Sequence, residues 1–325
     1  MSAAVPPAVG ATKTGSASPA MHIAHVAVVG GRGWLGRAIV QAVRWRGLAL
    51  TVVSRRPGPG VVAMDPDDSK SMARALARAD LVINSAGYRG ADARLAVTTN
   101  FRLPEDLARL AITERWRLVH VGSAAEYGRA TPGSTARLGE DDPCAPSTLY
   151  GMTKLAGTQA VLRRCEDGAD VLVARVFNLA AAQLPADNPL LDFAKQVGRL
   201  GSDGEVAIGD PTTVRDFSRR SWAAAAIVAL GVMPERFTGL VNVCSGRPTS
   251  FGDLVVAMAH HLGVPVSVRD LGWPRGGHIV GDPSRFHSLI DLPALDEADD
   301  LVRSILGPAS PQWDCKVPVL AGDTR

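Results

Sequence analysis

From about Met21 the chain alternates short apolar runs rich in β-branched residues with longer stretches whose apolar positions recur every three or four residues. Continuous short runs suit strands buried on both faces, and amphipathic stretches suit helices laid over them, so the alternation predicts a parallel sheet covered on both sides. The expected order is a strand at Ala24 to Val29, a helix at Trp34 to Arg46, a strand at Leu50 to Val53, a helix near Ser71 to Arg78 and a strand at Leu81 to Asn84. A helix at Leu103 to Thr113, a strand at Arg117 to Val121, a helix around Leu149 to Arg164 and a strand at Val171 to Arg175 continue it. This is an α/β protein with a Rossmann-type doubly wound sheet.

The pattern changes after Asn178. Pro185, Pro189, Gly201, Gly204, Gly209 and Pro211 break the chain into short pieces without clean alternation. A helix at Ser221 to Val232 and a strand at Leu240 to Val243 read as returns to the main sheet. Ser250 to Leu262, Val266 to Asp270 and Ala294 to Leu306 read as parts of a smaller, mixed carboxyl-terminal cap that binds substrate. The division expected is a disordered tail over 1–20, a dinucleotide-binding domain over 21–177 joined by 221–244, and a cap made of 178–220 and 245–325.

Composition narrows the function classes. With 46% hydrophobic and 21% charged residues the chain resembles an ordinary globular protein. A net charge of +3, with no Lys/Arg run longer than two, lacks the footprint of a nucleic-acid binder. Cys144, Cys165, Cys244 and Cys315 are scattered without CxxC or Cys/His spacing, which predicts neither a metal site nor a disulfide framework and fits a reducing cytoplasm. Residues 1 to 20 have neither the apolar core nor the arginines of a targeting peptide, Met21 is a candidate start, and no apolar run reaches membrane-spanning length.

Candidate chemistry begins at Gly30-Gly31-Arg32-Gly33-Trp34-Leu35-Gly36, between a buried strand and a helix. Glycines there let backbone N–H groups and the positive helix end approach a pyrophosphate, which points to a dinucleotide held by Gly30, Gly33, Trp34, Leu35 and Gly36. The second strand ends in Ser54-Arg55-Arg56, without the carboxylate that would hold a ribose 2′-hydroxyl. A hydroxyl and two guanidiniums suit a 2′-phosphate, so NADP is expected over NAD. Asp65 is a candidate for the adenine amino group.

Tyr150 and Lys154 stand at i and i+4 of an expected helix and so share a face. A tyrosine is a poor acid–base at neutral pH, and a neighbouring ammonium favours its phenolate; bringing it to neutrality takes roughly 4 kcal/mol of differential stabilisation. Ser123, at the carboxyl end of a strand, can donate to a carbonyl oxygen that becomes an alkoxide. The chain has three tyrosines, Tyr88, Tyr127 and Tyr150, and two fall in these segments.

Taken together, the glycine turn, Asn84-Ser85-Ala86-Gly87, Ser123 to Gly128, Tyr150 to Lys154, Arg175 to Asn178, Arg215-Asp216-Phe217 and Asn242 to Gly246 resemble, in that order, the extended short-chain dehydrogenases that act on nucleotide sugars, the NAD-dependent epimerase/dehydratase family. The resemblance runs from about Met21 to Arg285, and Val121 to Gly128 is most similar to the reductases of GDP-4-keto-6-deoxymannose and related 4-keto sugars. It implies that Ser123 and Tyr150 bracket the reacting carbonyl and that Lys154 also bonds the nicotinamide ribose. It adds Ala86 and Gly87 to the cofactor site and Glu126, Asn178, Arg215 and Arg285 to the substrate site.

The sequence also departs from the family's pattern. Ala180-Ala181 stands where a Gly-Pro-Gly turn is common, and Arg219-Arg220-Ser221-Trp222 replaces a stretch that carries aspartate. Ala124 and Ala125 cannot transfer the protons a dehydratase needs. Three functions remain: a nucleotide-sugar ketoreductase using NADPH, an epimerase with tightly bound NAD, and a non-catalytic dinucleotide-binding regulator. A non-sugar ketone is an alternative substrate. The expected partner is a small-molecule nucleotide sugar, with a homodimer as the one protein partner considered, and neither nucleic acid nor membrane.

Overall fold

The computed structural model describes residues 22–128, 134–186, 188–200, 204–292 and 298–307. The tail expected over 1–20, Cys315 and the start of the helix expected at Ala294 lie outside the described residues.

Along the first half run β1 (His25–Val29), α1 (Trp34–Trp45), β2 (Ala49–Ser54), β3 (Val61–Ala63), α2 (Ser69–Leu76), β4 (Leu81–Asn84), α3 (Ala93–Val97), α4 (Leu103–Glu114), β5 (Arg117–Ser123), α5 (Leu149–Arg163) and β6 (Val171–Val176). One π turn, Thr98–Arg102, joins α3 to α4. The second half holds β7 (Asn178–Ala180), α6 (Pro189–Val197), β8 (Glu205–Ile208), β9 (Val214–Arg219), α7 (Arg220–Val232) and β10 (Gly239–Val243). It closes with β11 (Pro248–Ser250), α8 (Phe251–Leu262), β12 (Ser267–Asp270), β13 (His278–Ile279), α9 (Ser284–Leu289) and α10 (Ala298–Leu306).

Seven strands form one parallel sheet in the order β3-β2-β1-β4-β5-β6-β10. The chain builds outward from β1 in one direction and then from β4 in the other, which opens a crevice at the carboxyl ends of those two strands. Apolar residues of β1, β4, β5 and β6 are buried on both faces. Ile39 and Val43 of α1 with Ile227 and Val228 of α7 cover one side, and Met72 of α2, Leu107 of α4 and Val161 of α5 cover the other.

The remaining strands make a second sheet, β11-β9-β13 with β7 also pairing β9, and a two-stranded ribbon of β8 and β12. Leu184, Leu190, Phe193, Val206, Met258 and Ile305 form a separate core beneath them. The sequence shows none of β7, β8, β9, β11 or β13 plainly, because strands of two to six residues are too short to display a period and pair with distant partners, as Val206 does with Val268. Pro189, which reads as a breaker, starts α6 instead. Its missing N–H falls in the first turn, where no helical bond is lost, and the Asn188 side chain accepts the N–H of Leu190 at 3.0 Å.

Candidate active site

The crevice is floored by the turn after β1. Gly30 has φ +75°, and a Cβ there would come within 2.7 Å of the Ala86 nitrogen; a Cβ on Gly36 would run into the Gly30 carbonyl. The glycines thus let the turn, the start of α1 and the segment after β4 close on one another. Gly33 caps α1 without any side-chain hydrogen bond, leaving first-turn N–H groups for an anion. Leu35 packs toward the sheet, whereas Trp34 turns to the second core, its indole N–H donating to the Gln183 carbonyl and the Arg220 guanidinium lying 4.9 Å from its ring. A turn this close to the backbone fits a dinucleotide pyrophosphate.

Ser54, Arg55 and Arg56 follow at the end of β2, both arginines exposed and without an ion pair among the described residues. A third guanidinium, that of Arg32, leans toward Gly58 on the same connection, a convergence sequence reasoning missed. Asp65 is exposed just beyond β3, its carboxylate accepting the N–H of Asp67 at 3.0 Å. Ala86 and Gly87 are held in place: the Ala86 N–H donates to Asn84 Oδ1 at 3.2 Å, and Ser85 donates twice to the Val29 carbonyl.

Ser123 ends β5 and caps a short 3-10 turn, accepting the Ala125 N–H at 3.2 Å. Gly151 seats the start of α5 against this turn, since a Cβ there would lie 2.5 Å from the Ala125 carbonyl. Tyr150, half-buried, is therefore carried by the segment adjoining Ser123. Tyr127 and Tyr88 have the following partners. Tyr127 is buried with its hydroxyl in reach of the Gly139 carbonyl at 2.8 Å and Asn242 at 3.0 Å, and Tyr88 Oη accepts the Asp92 N–H. The Arg89 guanidinium lies 5.8 Å from the Tyr150 ring centre, another neighbour the sequence did not flag.

Lys154, one turn beyond Tyr150, is 2% exposed. Its Nζ donates to the Val121 carbonyl at 2.6 Å and lies 3.4 Å from His120 Nε2. Burial lowers its pKa to about 8, with Glu126 acting the other way. His120 is driven well below the usual imidazole value, first by burial and then by Lys154. A single polar residue inside an otherwise apolar strand was the available signal for His120.

The expected substrate residues divide. Glu126 has no exposed surface: Oε1 accepts the Ser123 N–H at 2.7 Å and the Thr158 hydroxyl at 3.0 Å, and Oε2 pairs with Arg175 Nε at 3.0 Å. Both oxygens are turned inward, where they hold β5, α5 and β6 together. Asn178 and Arg215 sit on the paired strands β7 and β9; Asn178 Nδ2 donates to the Asp216 carbonyl at 3.1 Å, and Arg215 donates to the carbonyls of Val214, Gly276 and Gly277. Between them Asp216, fully buried, accepts from Ser245, Gly246 and Gly281, which ties β9 to the segment after β10. Arg285 is drawn to Asp141 at 2.7 Å and Glu140 at 3.6 Å, where it clamps α9 to the loop before α5.

Among the described residues no His, Cys, Asp and Glu group could hold a metal ion, and no helix is long and apolar enough to cross a membrane.

Residues 26–243 match the NAD dependent epimerase/dehydratase family. A dTDP-6-deoxy-L-talose 4-dehydrogenase (NAD(P)(+)) of Kitasatospora kifunensis is 32% identical over 269 residues, 78% of this chain and 84% of that protein. A dTDP-4-dehydrorhamnose reductase of Streptomyces griseus is 28% identical over 257 residues, 74% of this chain and 78% of that one. Among solved structures, the Bordetella bronchiseptica enzyme WbmG in complex with NAD and UDP superposes with a TM-score of 0.72 at 25% identity, covering 87% of this chain and 92% of that one.

Proposed function

The chain belongs to the NAD dependent epimerase/dehydratase family of extended short-chain dehydrogenases and is an NAD(P)-dependent oxidoreductase, and from that premise we propose that it reduces the keto group of a nucleotide-linked 4-keto-6-deoxyhexose with NADPH. The observation that carries this reading is the seating of the Tyr150 segment on the turn that begins at Ser123, with Lys154 buried one turn behind. NADPH supplies a hydride to the carbonyl carbon when bound. The Ser123 hydroxyl polarises the carbonyl, and Tyr150 gives the proton that the nascent alkoxide needs. Lys154 holds the ribose and, while charged, favours the phenolate that Tyr150 becomes. The glycine turn and the start of α1 hold the pyrophosphate, with Ala86 and Gly87 at its side, Asp65 at the adenine, and Ser54, Arg55 and Arg56 taking the 2′-phosphate. Asn178, Arg215 and Arg285 face the substrate's sugar and diphosphate, and Glu126 acts on it only through Ser123.

NADPH is proposed over NADH because β2 ends without a carboxylate. The names of both relatives make dTDP the first nucleotide to offer, with GDP second. Purified protein given NADPH and dTDP-4-keto-6-deoxyhexose should consume about one NADPH per sugar converted. Sugar isomerised without loss of nicotinamide absorbance would make it an epimerase, and absence of reaction with any nucleotide sugar would move the substrate outside that class.

A further inference from the structure

Behind the catalytic helix runs a buried polar chain of which the mechanism above uses only one end. Asn84 at the end of β4, His120 in β5 and Lys154 in α5 are 0%, 0% and 2% exposed. Asn84 Oδ1 accepts the Ala86 N–H at 3.2 Å, so the amide nitrogen faces His120 Nδ1, also at 3.2 Å. An amide nitrogen only donates; Nδ1 must therefore accept, and a neutral imidazole then carries its hydrogen on Nε2. That hydrogen points at Lys154 Nζ, 3.4 Å away, whose other side donates to the Val121 carbonyl at 2.6 Å. An ammonium has no lone pair, so the charged lysine would set donor against donor, whereas a neutral amine accepts. Exchanging the imidazole tautomer moves the same collision to Asn84.

We propose that His120, oriented by Asn84, is a positioning residue that governs the protonation of Lys154, presenting an N–H to the lysine nitrogen so that the lysine gives up its charge at a lower pH than it would beside a side chain that only accepts. This rests on the assignment of Tyr150 and Lys154 to the reaction. In reduction, Tyr150 loses its proton to the alkoxide, and Lys154, while it keeps its charge, favours the phenolate that is left. Solvent returns that proton, and no further oxidant or reductant is needed.

The surroundings agree in direction. Burial takes Lys154 down to about 8 and His120 well below its ordinary value. Glu126, from the turn after β5, opposes the fall at Lys154; Tyr150 lies one turn back on α5, β4 brings only the uncharged Asn84, and the charge acting on His120 is that of Lys154.

Two measurements test the proposal, and the first needs no substrate. In histidine-labelled protein free of ligands, nitrogen NMR should show His120 as the neutral Nε2–H tautomer throughout pH 6 to 9, with the signal identified by its loss in His120→Gln. A Nδ1–H tautomer, or a protonation step near the ordinary imidazole pKa of about 6.5, overturns the proposal whatever the protein's substrate is. The second is the pH profile of kcat/KM for reduction. Glutamine can turn its carbonyl oxygen to an ammonium, so His120→Gln should carry the alkaline limb upward by about one pH unit while the plateau changes less than about threefold. A limb that stays in place while the variant is folded, as thermal melting shows, overturns it; should the variant not fold, the wild-type tautomer, with its signal assigned from through-bond and through-space correlations, decides alone.

Discussion

Tyr150 is carried by the start of α5, where Gly151 lies against the turn that Ser123 begins and Lys154 follows one turn along the helix. Tyr150→Phe keeps the ring and removes the transferable proton; turnover should fall at least about 100-fold with NADPH affinity retained, and near-normal turnover by absorbance assay would remove Tyr150 from the mechanism. What the sequence could not tell was which way Glu126 faces. It lies in the same segment as Ser123, whose N–H it accepts, but its carboxylate also takes Thr158 and Arg175, which stand far along the chain. Glu126→Gln leaves the Arg175 guanidinium uncompensated in the interior, and breaking a buried pair in this way costs about 3–5 kcal/mol. Denaturant unfolding should show that loss; unchanged stability with a raised KM would return Glu126 to the substrate.

At the level of elements, the loop after β2 is the sharpest test of cofactor choice. Arg55 and Arg56 are exposed beside Ser54, with Arg32 turned toward the same loop. Each charge-assisted bond to a phosphate is worth about 1.5–3 kcal/mol, so Arg55→Ala with Arg56→Ala should narrow the affinity gap between NADPH and NADH by at least tenfold. Equal affinities in the unchanged protein, measured by calorimetry, would sink the NADP reading. Beside the second sheet, the loop that brings Gly276 and Gly277 to Arg215 is tethered by Asp210. Burial pushes that carboxyl up, but the Thr212 and Thr213 hydroxyls and the N–H groups of Gly276 and Thr212 together hold it down at about 2. Its contribution to stability is therefore complete above the ordinary carboxylate pKa of about 4 and is lost as pH falls through about 2. The melting temperature of Asp210→Asn should lie below that of the unchanged protein at pH 7, and the difference should close toward pH 2. A difference constant with pH would mean the tether does not depend on charge. Sequence gave no hint of Asp210, because a loop aspartate beside two threonines is common and its partner Gly276 lies in a distant segment.

Over the whole molecule, the doubly wound half was readable where its strands are long enough to show an apolar run and its helices long enough to show a stripe, as Leu81 to Asn84 came out at its observed limits, whereas the three-residue β3 and the five-residue α3 were missed for being too short. The second sheet was not, since β9 owes its existence to β7, β11 and β13 pairing around it rather than to its own six residues. Trp34 is one of the side chains through which the halves meet. Trp34 opens α1 beside the glycine turn, yet its indole bonds the Gln183 carbonyl and stacks with Arg220, both beyond β6. A ligand that orders the glycine turn acts on a side chain the other half also holds, so the expected outcome is linkage between the two occupancies, and linkage is symmetrical. Whatever factor a bound nucleoside diphosphate adds to NADPH affinity, NADPH must add to the diphosphate's, and Trp34→Ala should bring both factors toward one together. The protein would then discriminate a lone cofactor from a cofactor with its substrate before any chemistry begins.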